Sequence, residues 1–154
     1  DNYNRPFILN DFGHLLNEQR SYRQAIGYLE KAAQIWQQQK DWRNYAMAQQ
    51  NLAVAHRGTG DYKQAQLHFE RVWDLAVKNG FDDLETMSLQ GLASLHQVRG
   101  EHRQAVEILQ KALSKSSADS TRRAEILWRL STSQIRAGES AAARGNATEC
   151  YEWA

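Results

Sequence analysis

The chain has 154 residues, 42% of them hydrophobic and 24% charged, with 19 Lys and Arg against 18 Asp and Glu. That length suits one domain with a buried core, and the apolar share excludes a disordered chain. The near balance of charge gives no field to attract nucleic acid or an anionic membrane. No stretch approaches the roughly 20 apolar residues of a spanning helix, and the lone Cys150 excludes an internal disulfide framework.

Along the chain, apolar residues recur at three- and four-residue steps and strand-like alternation is absent. Ala, Gln, Leu, Arg and Glu dominate, all good helix formers. The pattern predicts eight helices near residues 7–18, 22–38, 43–58, 62–78, 82–98, 102–116, 121–137 and 139–153. Pro6, the one proline, stands just ahead of the first. Ser21 with Gln24 and Asp61 with Gln64 fit capping boxes opening the second and fourth helices, and Glu101 with Gln104 is a poorer version opening the sixth. Arg57-Gly58-Thr59-Gly60 reads as a turn. The polar run Ser114–Thr121 reads as a connector, not a domain boundary.

The helices are organised by a repeat of 40 residues. Ser21-Tyr22-Arg23-Gln24-Ala25 returns as Asp61-Tyr62-Lys63-Gln64-Ala65 and again as Glu101-His102-Arg103-Gln104-Ala105. The same offset carries Leu29 to Phe69 to Leu109, and Phe12 to Leu52 to Leu92. A fourth copy, through Leu130, Ser131, Gly138, Ala143 and Cys150, appears at an offset of 38 and is degenerate in its second half. Self-similarity at this period predicts helix pairs that bury their faces on their neighbours. Small residues at Gly13, Ala53, Ala93 and Ser131 let paired helices approach, and the large residues beside them fill the gaps.

These positions resemble the tetratricopeptide repeat: a small residue in the first helix, a Gly-Asp/Glu turn, then Tyr and Ala leading the second. The resemblance covers almost the whole chain and weakens in the last unit. It implies an all-α fold, a right-handed α-solenoid of about four antiparallel helix pairs, with units near 3–40, 43–80, 83–120 and 121–154 in one repeat domain spanning 1–154. The family repeat is 34 residues long, and the six extra here are expected between the second helix and the next first helix, at Gln37–Arg43 and Val77–Asp83. Lengthened repeats of this kind look like those of polarity adaptors and of bacterial regulators. The start at Asp1 and the weak last helix suggest a piece of a larger intracellular, cytoplasmic protein.

The resemblance further implies a concave groove lined by the first helices. Its registration selects as peptide-binding residues Asn10, His14 and Asn17 in the first unit, and Gln50, Asn51, Val54 and Arg57 in the second. Gln90, Ser94 and Gln97 follow in the third, and Trp128 and Arg129 in the fourth. Phe7, Met47, Met87 and Arg136 share these faces. Asn and Gln both donate and accept, which suits a peptide backbone, and arginines suit acidic side chains. The plainer account is that these are solvated helix faces. The family's Lys/Asn clamp for a terminal carboxylate is not expected, because Asn51 matches it while Asn10, His14, Met87 and Gly91 do not supply the rest.

No catalytic constellation is present: there is no phosphate loop, nucleophile elbow or His-Glu-x-x-His. His56 and His96 take the place of a family core aromatic and read as packing residues. His68 and His102 read as surface residues of second helices. Asp82, Asp83 and Glu85, like Asp119 and Glu125, read as charges favouring a helix start rather than a cation site. The sequence therefore predicts no enzyme, no cofactor and no metal. Its partner would be a protein or peptide, possibly another domain of the same chain or a second copy. The rival reading is a regulatory segment packed on a nucleotide-switch or DNA-binding domain of a bacterial signalling or transcription-control protein.

Overall fold

The computed structural model describes residues 4–116 and 121–152. It contains α1 (Arg5–Glu18), α2 (Tyr22–Gln39), α3 (Trp42–Thr59), α4 (Tyr62–Asn79), α5 (Asp82–Val98), α6 (His102–Lys115), α7 (Thr121–Ala137) and α8 (Ser140–Glu152). There is no strand among the described residues. The helices form four adjacent antiparallel pairs, as the periodicity predicts. The six residues beyond the family length, expected between the helices, lie mostly within them: α2 runs on to Gln39 and α3 begins at Trp42. Asp119 and Trp153 lie outside the described residues.

A single turn design recurs. Arg20, Lys40, Gly60, Gly80, Gly100 and Gly138 all have positive φ. The residue after each donates its backbone N–H to the carbonyl five positions back: Ser21 to Leu16, Asp41 to Trp36, Asp61 to His56, Phe81 to Ala76, Glu101 to His96 and Glu139 to Gln134, at 2.8–2.9 Å. This is the Schellman closure, which satisfies a carbonyl that the helix end would leave without a partner. From Arg20 to Gly100 the left-handed residue falls at every twentieth position. The two turns within and between pairs are thus the same object, and the 40-residue repeat is two 20-residue steps.

The closure also explains why the capping boxes are incomplete. Ser21 and Asp61 spend their backbone N–H on the preceding helix, so no reciprocal bond from Gln24 or Gln64 is made. Asp61 still caps, accepting from Gln64 N at 3.1 Å, while Ser21 and Glu101 make no side-chain cap bond. Asp41 is a further cap, accepting from the backbone N–H of Asn44 at 3.2 Å and from its side-chain amide at 2.7 Å. Gly58 is not part of the turn: it lies inside α3.

The chain divides into two units, Asp1–Leu84 and Glu85–Ala154. In the first, α1 packs on α2, α2 on α3, α3 on α4, and α1 also touches α3. Its core comprises Leu16, Ala25, Leu29, Ala32, Ala33, Trp36, Tyr45, Ala48, Leu52 and Ala55. The small residues act by permitting close approach. A methyl on Gly13 would stand 2.5 Å from Leu29 Cγ. One on Gly58 would stand 2.5 Å from three carbons of the Tyr22 ring. Tyr22 therefore packs on the first helix of the following pair. In the second unit, α6 packs on α7 and α7 on α8. Leu109, Ala112, Ile126, Leu127, Leu130 and Ala143 are buried there.

Candidate peptide-binding faces

In the first unit, α1 and α3 are tied by amides. Asn51 Nδ2 donates to Asn10 Oδ1 at 3.1 Å, and Asn17 Nδ2 donates to the carbonyl of Asn51 at 2.9 Å. Asn10 and Asn17 are buried, so part of the amide set expected to meet a ligand serves to join the two first helices. The exposed part of this face is Phe7, His14 and Met47, with Asn51, Val54 and Arg57 half-buried. His14 lies 3.6 Å from Glu18 one turn away. Phe7 packs edge-on against Trp36 at 5.3 Å between ring centroids, which holds an apolar ledge at the start of the face. Burial pushes the Arg57 guanidinium below its usual range, opposed by the phenols of Tyr22 and Tyr62.

Gln50 is buried in the same α3. This helix has α1, α2 and α4 against it, so polar residues on several of its sides are covered. In the second unit, Gln90 and Ser94 are likewise buried, and Ser94 Oγ donates to Gly91 O within its own helix at 2.6 Å. Thus five of the twelve expected contact residues, Asn10, Asn17, Gln50, Gln90 and Ser94, lie in the interior.

The remaining three converge. Gln97 Nε2 donates to Ser133 Oγ at 2.7 Å, Arg129 Nη2 donates to Gln97 Oε1 at 3.4 Å, and Ser133 Oγ donates to Arg129 O at 2.9 Å. With His102, Trp128, Thr132 and Arg136 they line a cleft of about 280 Å³. Trp128 is 63% exposed on its rim.

His56 and His96 are half-buried, as packing residues should be, but His68 and His102, expected at the surface, are half-buried too. His68 is not a surface residue. It is half-buried, stacked on His56 at 5.2 Å, with Nδ1 donating to Gln49 Oε1 at 2.6 Å. Burial first, then His56 and Arg71, lower its pKa to about 4. Glu85 also departs from a plain helix-start charge: its side chain is 5% exposed and pairs with Lys115 at 3.2 Å. Asp83 pairs with Arg43 at 2.6 Å, joining equivalent positions of successive repeats. Among the described residues no group of three His, Cys, Asp or Glu side chains is placed to hold a metal. No helix there is long and apolar enough to cross a membrane.

Paired helices with Gly-type turns and small residues at their crossings define a tetratricopeptide-like helical-repeat domain. Residues 5–76 match the tetratricopeptide repeat family directly. No curated protein matches the chain by sequence. Among solved structures, the apo form of the quorum sensor NprR from B. thuringiensis has a TM-score of 0.87 at 16% identity, over 97% of this chain and 43% of that one. NprR in complex with its cognate peptide NprX gives 0.82 at 17% identity, over 96% and 43%. At such identities the likeness is one of fold, and this chain spans less than half the length of NprR.

Proposed function

We propose that residues 1–154 form one repeat domain that recognises a peptide segment through its first helices. It would act as a non-catalytic module of a signalling protein. The observation that supports this best is the fold likeness to NprR, a chain solved with its cognate peptide bound. The first unit adds a face suited to the task. Asn51, Val54 and Arg57 sit half-buried on α3 beside the exposed Phe7 and Met47, combining amide, apolar and cationic groups. That NprR is a quorum sensor of more than twice this length also favours a regulatory setting, in which peptide occupancy is read by another part of the same polypeptide.

The test is to select peptides from a random display library on the intact chain, then measure Kd for the chain carrying Asn51→Ala and Arg57→Ala. A loss of at least about tenfold, roughly 1.4 kcal/mol, is expected. Unchanged affinity would overturn the face, and no enrichment would overturn peptide recognition itself. Because Asn51 also bonds Asn10, a melting curve of the variant separates lost contact from lost fold.

A further inference from the structure

The cleft of the second unit has a composition that the amide face of α1 and α3 lacks. Its charged lining residues are Arg129 and Arg136, and none of the described residues that line it is acidic. Its rim carries the Trp128 indole, and Ile135, two turns along α7 from Trp128, is 62% exposed. An exposed indole at mid-helix gains little from packing, and Trp and Arg are both enriched at binding hot spots. The cationic group is also held in place. Arg129 is oriented by Gln97 Oε1 and stands 3.9 Å from Glu125, while Gln97 is fixed from its other side by Ser133. A guanidinium positioned before binding loses less freedom on meeting a carboxylate.

From these features we infer that the cleft is a subsite for a carboxylate flanked by an aromatic or aliphatic side chain, the carboxylate meeting Arg129 and Arg136 and the apolar neighbour lying on Trp128. This rests on the peptide reading and gives it a ligand chemistry. The carboxylate can come from an acidic side chain or from a peptide C-terminus. The positions differ from those of the family's Lys/Asn clamp, which this sequence does not fill.

The probes are acetyl-Phe-Glu-Phe-amide, acetyl-Phe-Gln-Phe-amide and acetyl-Phe-Gln-Phe with a free C-terminus, titrated into the isotope-labelled intact chain. The indole N–H resonance of Trp128 is followed, assigned through Trp128→Phe. At least one carboxylate probe should shift it in the low-millimolar range and bind roughly fivefold more tightly than the uncharged amide, with Arg136→Gln removing that advantage. Preference for the first or the third probe identifies the source of the carboxylate. Equal binding of charged and uncharged probes, an unmoved Trp128 resonance, or an Arg136→Gln chain that keeps the preference would each overturn the subsite. If library peptides respond to Asn51→Ala with Arg57→Ala yet ignore Arg136→Gln, recognition stands and this subsite falls.

Discussion

Tyr22 lies over Gly58, and the contact sets two effects against each other. Alanine at 58 gains about 1 kcal/mol of helix propensity, but its methyl would meet the phenol ring at 2.5 Å. Overpacking of this kind costs about 1–3 kcal/mol, so Gly58→Ala should lower the urea midpoint. In a Tyr22→Ala background the same change should raise it, a reversal of sign that a purely local role for Gly58 would not produce. A second expectation concerns protons. The unfolded chain binds one at His68 near its usual 6.5, while the folded chain resists until about 4. Stability should therefore be complete above 6.5 and fall as the pH drops toward 4. Denaturation midpoints at pH 7 and 4.5 should converge in His68→Gln relative to the parent. Neither residue was legible in this role from the sequence. Gly58 reads as a turn because Gly60 lies two places on, and His68 follows a helical step whose partners, Gln49 and His56, lie on another helix.

The element scale is where the sequence is most informative, because helix starts and stops are local. The bounds follow the apolar period and the left-handed residues closely. What the sequence hides is that the turns at Arg20 and Lys40 use the same backbone as those at Gly60 and Gly80. A side chain in that conformation costs about 1–2 kcal/mol. Lys40→Gly is thus expected to stabilise the chain by up to about 1 kcal/mol, after the added freedom of the unfolded glycine is subtracted, and Gly60→Ala to destabilise it by a similar amount. Thermal unfolding of the two variants gives shifts of opposite sign. Ion pairs between elements divide the same way. Arg43 and Asp83 are both half-exposed, so Arg43→Met should cost under about 1 kcal/mol. Lys115→Met leaves the buried Glu85 carboxylate without its cation and should cost roughly 2 kcal/mol or more. The candidate faces were only partly legible for a related reason. The period shows which side of a first helix is apolar. It does not show that Asn10, Asn17 and Gln50 would be enclosed, since α3 has neighbours on three sides.

For the molecule as a whole, a stack of this kind keeps its register only by counting. A residue inserted in mid-helix turns everything after it by about 100°. One alanine added within α4 should therefore disturb the apolar match of each later position in that helix and lower the melting temperature sharply. Two residues added between Ser116 and Thr121, where the offset falls from 40 to 38, should change it little, because lengthening a connector costs only a fraction of a kcal/mol. From Arg20 to Gly100 the left-handed residue at every twentieth position acts like punctuation in a text of fixed line length. Lines can be added or removed two at a time, as whole helix pairs, without rewriting those around them, whereas a single inserted letter spoils the line in which it falls. A chain built on such a count can change its length in evolution by whole repeats while the exposed side chains of each helix remain free to vary.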